Sequence, residues 1–380
     1  MVDSLKINMV TTWNKRCGIA YYAKFLAREL NKFVKVNIIP IERDKPSLKD
    51  IGYFILLASV AKRNCDLVHI QHEYALFGGR ILNRYFNGLM HIPFFARLIF
   101  PKKPIVITTI HELRRKGRTS KIGKIWCMLI DKILFQCSDI LIVHTKWAKK
   151  ELIRKGAAKE KLRVIPHGSC NPTLLSKKRC KIRLGLLGHK VLTIFGFVCR
   201  EKGHDLLIEI MPKLRNFVLL IAGAPRIEEA YQYYEKLRRR VDELGLNEKV
   251  KFLGFVPDDE VATVINASDL VVLPYRHVTQ SGVLGIVLPY KVPVIASDLD
   301  FFKEIKNSYD CILLFKRDDK TDLLKKINFL FTRSEYKSKL IANMEKFWRE
   351  TNWYNVARKT YKVYALVTSK QKIECKRLRR

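Results

Sequence analysis

Two short runs carry side chains suited to sugar or phosphate chemistry. The first is His69-Ile70-Gln71-His72-Glu73, and Thr108-Thr109-Ile110-His111-Glu112 repeats its pattern at the end of the next β-rich stretch. Two imidazoles and a carboxylate within five residues are the ingredients of a metal site. Residues along a strand alternate between faces, however, so His69 and Gln71 point one way and Ile70 and His72 the other, and convergence on one ion is not expected. The better reading is a polar strand end where Gln71, His72 and Glu73 meet a hydroxyl-rich ligand, with His111 at the mouth of the neighbouring strand. The second run is Gly196-Phe197-Val198-Cys199-Arg200-Glu201-Lys202-Gly203, between a β-rich stretch and a helix. Arg200 and Lys202 would bring two cations to a helix start, a good clamp for a diphosphate. A solvated surface pair is the plain alternative. Further on, His277-Val278-Thr279-Gln280-Ser281-Gly282-Val283 offers a hydroxyl and backbone N–H groups at another helix start. Gly18, after Arg16-Cys17, would let backbone N–H groups approach a phosphate, or would serve an ordinary tight turn.

These residues need a scaffold, and the chain supplies a regular one. Apolar runs of buried-strand length lie at Leu5–Thr12, Val34–Ile41, Leu67–Gln71, Ile105–Ile110 and Ile140–Val143, separated by helical or turn material. A second series follows at Val191–Phe197, Phe217–Ala222, Val250–Leu253, Leu270–Leu273, Pro293–Ala296 and Cys311–Phe315. The rhythm predicts two α/β domains with parallel sheets, residues 1–165 and 166–345, with a Pro- and Gly-rich hinge at Ile165–Gly188. A helix over 346–367 and a disordered basic tail over 368–380 complete the expected order. In such sheets ligands sit beyond the carboxyl ends of the strands, where the runs above fall.

At 380 residues and 48% hydrophobic, the chain is too long for one core and too apolar for disorder. No apolar run reaches spanning length and the first residues do not form a signal peptide, so neither is expected. The nine cysteines never fall at zinc-site spacing, which points to buried small hydrophobes in a reducing compartment. With 72 Lys and Arg against 36 Asp and Glu, the formal charge of +36 asks for an anionic partner.

Taken in order, Arg16-Cys17-Gly18-Ile19, His69-Ile70-Gln71-His72-Glu73-Tyr74, Thr109-Ile110-His111, Ile165-Pro166-His167-Gly168, Gly196-Phe197-Val198 with Glu201-Lys202-Gly203, and Pro293-Val294-Ile295-Ala296-Ser297-Asp298 resemble the retaining GT-B glycosyltransferases of the glycosyl transferases group 1 family. The resemblance spans nearly the whole chain. It implies two Rossmann-like domains facing a central cleft, a C-terminal helix crossing back to the N-terminal domain, and a nucleotide-diphosphate sugar held mostly by the C-terminal one. It places Gly18 near the donor phosphate, His111 at the reaction centre, Arg200 and Lys202 on the diphosphate, and Gly196, Ser281, Gly282 and Val283 among the donor contacts. It further implies front-face transfer with retention, with no metal and no other cofactor. One departure stands out: the family's two glutamate positions fall on Val278 and Ile286, neither able to accept a hydrogen bond, and its glycine before the proline is Lys291. Gln280 and His277 are the candidate substitutes.

For the acceptor, charge and apolarity combine. Arg80–Lys124 holds eleven Lys and Arg against the single acid Glu112, and encloses the aromatic segment Tyr85–Phe100. That segment reads either as an interfacial membrane element or as a core helix with a basic flank. The first makes a glycolipid or lipid-linked saccharide the leading acceptor and a peripheral, cytoplasmic-face location the expectation. A non-catalytic sugar- or nucleotide-binding relative is the main alternative. A nucleic-acid binder suits the charge but lacks a recognised module.

Overall fold

The computed structural model describes residues 5–43, 46–81, 84–86, 88–113, 121–226 and 228–377. The chain divides into two compact units, residues 1–168 with 353–380, and residues 169–352.

In the first unit the strands are β1 (Lys6–Thr11), β2 (Lys35–Pro40), β3 (Leu67–His72), β4 (Gly79–Ile81), β5 (Arg84–Phe86), β6 (Ile105–Ile110), β7 (Ile140–Val143) and β8 (Leu162–Val164). Its helices are α1 (Gly18–Leu30), α2 (Ile51–Ala61), α3 (His91–Ile99), α4 (Lys121–Cys137) and α5 (Lys146–Arg154). Six strands form one parallel sheet in the order β2-β1-β3-β6-β7-β8, and β4 pairs with β5 as a separate hairpin. Near-continuous apolar strands need cover on both faces. Ile70 and Val106 face the core with Phe54 of α2, Phe94 of α3 and Leu134 of α4. Met9 and Ile107 face the opposite core with Tyr22 and Leu26 of α1.

That second core is completed from the far end of the sequence. Trp353, Val356, Ala357 and Tyr364 pack into it from the last helix. The second unit continues with α6 (Lys177–Arg183), α7 (His204–Ile210), α8 (Glu228–Glu243), α9 (Val261–Ala267), α10 (Gly282–Val287), α11 (Asp300–Tyr309), α12 (Lys320–Thr332) and α13 (Ser334–Thr351), and α14 (Trp353–Arg377) belongs to the first. The expected crossing helix at 346 therefore begins at Trp353. The cause is local: Asn352 is extended at ψ 152° and breaks the helix, and the Trp348 indole N–H donates to the Cys170 carbonyl at 2.9 Å, holding α13 in the second unit. The tail expected to be disordered from 368 instead continues as helix to Arg377, since extending an existing helix costs far less than nucleating one.

The second sheet contains β9 (Lys190–Phe195), β10 (Phe217–Ala222), β11 (Val250–Phe252), β12 (Leu270–Leu273), β13 (Val294–Ser297) and β14 (Leu313–Phe315), in the order β11-β10-β9-β12-β13-β14. Counted within the unit this is the Rossmann order 3-2-1-4-5-6, whose strand direction of travel reverses between β9 and β12. In the first sheet the reversal falls between β1 and β3. The polar runs singled out in the sequence follow these strands or their neighbour β6.

The aromatic segment 85–100 is corrected here. His91, Phe94, Phe95 and Leu98 of α3 are buried against the sheet, the i, i+3, i+4, i+7 spacing of a core-facing stripe. Phe94 and Phe95 are therefore core residues, and among the described large apolar side chains of the segment Ile92 and Phe100 are the exposed ones. Asn87 in that segment and Arg114, Arg115, Lys116 and Arg118 of the basic stretch lie outside the described residues.

Gly168 shows how tightly α14 is seated: a Cβ there would lie 2.2 Å from the Trp353 ring. Gly168→Ala should destabilise the first unit by about 1–3 kcal/mol through overpacking. Urea unfolding followed by tryptophan fluorescence measures this, and a midpoint equal to the parent's would show that the indole relocates freely.

Candidate functional site

Four residues were expected to share a polar edge in the first unit: Gln71, His72, Glu73 and His111. The structure brings only two together. Gln71 Oε1 lies 2.9 Å from His111 Nε2, because β3 and β6 pair in parallel with Gln71 opposite Thr109. His72 projects to the other face, with Nε2 2.7 Å from His91 Nε2 and its ring stacked on Phe77. It is fully buried in the core, so its assignment as a ligand contact is corrected. Glu73 turns back to accept the Ala75 N–H.

His111 is also not the open side chain expected at a strand end. It is 4% exposed, with the Tyr22 ring edge-on at 4.6 Å. It belongs to a buried polar relay that the sequence did not reveal. Tyr364 Oη lies 2.5 Å from His69 Nδ1, and His69 Nε2 reaches Thr109 Oγ1 at 2.8 Å and the Gln71 amide at 3.3 Å. Beyond Gln71 come His111, then His144 with Nε2 3.4 Å from His111 Nδ1, and finally the Ile165 carbonyl, 3.0 Å from His144 Nδ1. His167 packs against His144 and Tyr22.

Burial pushes His69 and His144 down to about 3 and His167 to about 4. His111 is held well below its ordinary value, first by burial and then by the neighbouring imidazoles. Neutral rings each have one donor and one acceptor, which fixes the polarity of the relay. His144 Nδ1 must donate to Ile165, leaving Nε2 as an acceptor. If His111 donated to Gln71 Oε1, its Nδ1 lone pair would face the His144 lone pair. A half-turn of the Gln71 amide removes the conflict, because the amide N–H then donates to His111 Nε2 and His111 Nδ1–H donates to His144. Both His111 nitrogens are then engaged within the unit.

Gly18 opens α1 and is exposed, and a Cβ added there would meet nothing within 4 Å. No side chain caps this helix and its first turn holds no acid.

The second unit gathers its predicted residues more closely. Gly196 sits at φ +105°, and a Cβ there would be 3.0 Å from Val283. Gly223 approaches so closely that a Cβ would fall 1.9 Å from the Gly196 carbonyl oxygen, and one at Gly203 2.1 Å from that of Pro274. These contacts lock the turn after β9 against the end of β12. On that turn Arg200 is exposed, whereas the Lys202 ammonium sits 3.6 Å over the Tyr275 ring. Ser281 caps α10 by accepting the Leu284 N–H at 3.3 Å, so its hydroxyl oxygen is already in use. Gln280 Oε1 and the Tyr275 hydroxyl are buried without a hydrogen-bond partner among the described residues. His277 is half-buried in the same loop. Val278 and Ile286 pack against the apolar core. Lys291 holds the left-handed φ of +61° that a glycine would adopt more easily.

Sequence reading missed the group that fixes this turn. Arg276 donates to both oxygens of Asp205, at 2.8 and 2.7 Å, to Asp318 at 2.7 Å and to the Arg200 carbonyl at 3.0 Å. Tyr233 Oη donates to Asp205 at 2.6 Å. Burial alone would raise the Asp205 carboxyl, but the bonds from Arg276 and Tyr233 outweigh it and hold the group below the carboxylate range. The only signal was an arginine three residues beyond a strand end, which a surface position would also explain.

Residues 185–347 match the family model described as glycosyl transferases group 1, and residues 18–169 that described as Glycosyltransferase Family 4. The chain belongs to the group 1 glycosyltransferases of the GT-B fold. In this family, mannosylfructose-phosphate synthase of Agrobacterium fabrum is 30% identical over 158 residues, 38% of this chain and 34% of that protein. Phosphatidyl-myo-inositol mannosyltransferase of Mycobacterium leprae is 27% identical over 194 residues, 50% of each. The crystal structure of Anabaena Alr3699/HepE in complex with UDP and glucose matches at a TM-score of 0.77 and 15% identity, covering 95% of this chain and 99% of that one, a likeness of fold. The chain spans 34% to 66% of the length of the curated relatives it matches.

Two outcomes follow for the first unit. The four histidines of the relay region, His69, His111, His144 and His167, take up protons in the unfolded chain below about pH 6.5 but resist them when folded. The folded values are depressed, so stability is intact above about pH 6.5 and falls as pH drops towards 4, by about 1.4 kcal/mol per pH unit for each fully shifted group. Urea midpoints at about pH 7 and about pH 5 should therefore differ strongly, and equal midpoints would mean the rings are accessible to protons. Gln71→Leu should cost about 1–3 kcal/mol for each partner it strands, and ¹⁵N spectra of the parent should show His111 as the Nδ1–H tautomer. An Nε2–H signal would overturn the assigned polarity.

Proposed function

We propose that this chain transfers a sugar from a nucleotide-diphosphate sugar to a hydroxyl of a saccharide or glycolipid, with the second unit binding the donor. The observation that carries this reading is the placement of Arg200 and Lys202 on a turn at the point where the order of the second sheet reverses, fixed by Arg276 and by the close approaches of Gly196, Gly203 and Gly223. Ligands of open α/β sheets bind beyond such a reversal. Gly282 and Val283, with Gln280 beside them, would complete the donor contacts. The proposal is supported by the relatives' own names, which include a phosphatidyl-myo-inositol mannosyltransferase.

Cleavage of the sugar–phosphate bond develops negative charge on the departing diphosphate. Two preset cations would stabilise that charge without reorganising during the reaction. We assign the reaction a retaining, front-face course without a metal. His111 contributes as a positioning residue through its buried relay, since a direct contact would require it to give up a hydrogen bond. His111→Ala should therefore lower both transfer and stability, not transfer alone.

Val278 and Ile286 favour one other reading, a binding protein that holds the nucleotide sugar without transferring it, because side chains that accept hydrogen bonds are missing from both positions. A thermal-shift screen of nucleotide sugars, followed by assay of the stabilising donor with and without acceptor, separates the two. Bound donor with neither transfer nor hydrolysis would establish the second. If the clamp operates, Arg200→Ala and Lys202→Ala each lower donor use about tenfold to a hundredfold, and undiminished activity in both would refute it. Transfer should also continue in EDTA. Loss with chelator and recovery with magnesium or manganese would overturn the metal-free course.

A further inference from the structure

We infer that the outer face of α2, α3 and α4 is a docking surface for an anionic lipid bilayer. This deepens the functional reading by naming the surface on which an acceptor carried in a lipid layer would be met.

Helix α2 has the sequence IGYFILLASVA, without one charged side chain. Its inward positions Phe54, Leu57, Ala58 and Ala61 fill the core. A surface helix ordinarily places polar residues opposite such a stripe. Here the exposed positions are Ile51, Gly52, Ile55, Leu56 and Val60, all apolar. Helix α3 packs against both α2 and α4 and leaves Phe100, just past its end, 67% exposed. On α4, Ile125 and Met128 are 67% and 71% exposed. Single exposed apolar residues are ordinary, but an apolar outer surface shared by three neighbouring helices marks an interaction site.

Charge selects the occupant. Lys49, Arg63, Arg97, Lys102, Lys124 and Lys132 are exposed on or beside these helices. Among the described residues of the three helices the only acid is Asp131, which is buried and receives a hydrogen bond from the Tyr74 hydroxyl. An apolar face with basic surroundings matches the boundary between acyl chains and anionic headgroups. A second copy of the chain fits poorly, because docking face to face would bring like charges together in a protein of net charge +36. No helix among the described residues is long and apolar enough to cross a membrane, so the contact would lie in the interface. The residues involved are not those expected from the aromatic segment: Phe94 and Phe95 support α3 from inside, while α2 and α4 carry the contact.

The test uses the full chain and vesicles of phosphatidylglycerol, with phosphatidylcholine vesicles as the neutral control. The parent should cosediment with phosphatidylglycerol vesicles at low salt and be only partly released at roughly 0.5 M salt, since buried apolar side chains are not screened. The triple variant Leu56→Ser, Ile125→Ser, Met128→Ser changes only exposed positions and should keep the parent's melting temperature. It should bind these vesicles about tenfold more weakly or worse and be fully released by salt. Donor hydrolysis, or transfer to a soluble acceptor, should be unchanged in this variant, so failure of the docking surface and failure of the transferase reading are distinguishable. Vesicle binding equal to the parent's would overturn the inference. So would a parent that is dimeric by light scattering with a monomeric triple variant, which would assign the face to a second copy.

Discussion

The guanidinium of Arg276 is the constraint on which the donor side of this protein depends. It joins three pieces of chain remote in sequence: the turn bearing Arg200 with the start of α7 at Asp205, its own loop after β12, and the loop holding Asp318. A turn carrying two cations would otherwise splay, because like charges repel and a short 3₁₀ segment has few bonds of its own. Five N–H donors in a rigid plane suit this task in a way an ammonium does not. The close approaches at Gly203 and Gly223 then make the arrangement incompatible with any side chain at those positions.

The first unit reaches rigidity by a different route. Its polar centre is a line of neutral rings and one amide, each satisfied only if the next has the right polarity. Such a network is expensive to leave incomplete and specific when closed. It links Tyr364 on the last helix to the carbonyl of Ile165, with His111 in the middle, so the residue that family resemblance places at the reaction centre is oriented from both sides.

Much of this architecture was legible in the sequence because buried parallel strands leave an unmistakable apolar rhythm. Ile105–Ile110, Phe217–Ala222 and Leu270–Leu273 appear with the bounds their composition predicts, and strand alternation correctly separated His69 and Gln71 from His72. Strand β8 and the hairpin of β4 and β5 were missed because each is three residues long and holds an arginine, so none presents an apolar run. The inward turn of Phe94 and Phe95 was legible in the spacing of α3, but the basic surroundings pointed the other way. The relay and the Arg276 clamp could not be read at all, since each joins residues whose proximity depends on sheet order: His69 and Tyr364 are 295 positions apart.

That separation bears on how the protein comes into being. Chains fold as they leave the ribosome, and domains generally do so as units from the N-terminal side. The first unit cannot follow that order, because Trp353, Val356 and Tyr364 are the last parts of its core to be made. Until they emerge, the face of the sheet bearing Met9 and Ile107 has α1 against it but lacks the last helix, while the second unit, a single continuous segment, already has every residue of its own core. The nascent protein thus finishes its later half first, and its earlier half spends much of translation with one face of its sheet only partly covered, the stage at which it would need a chaperone most.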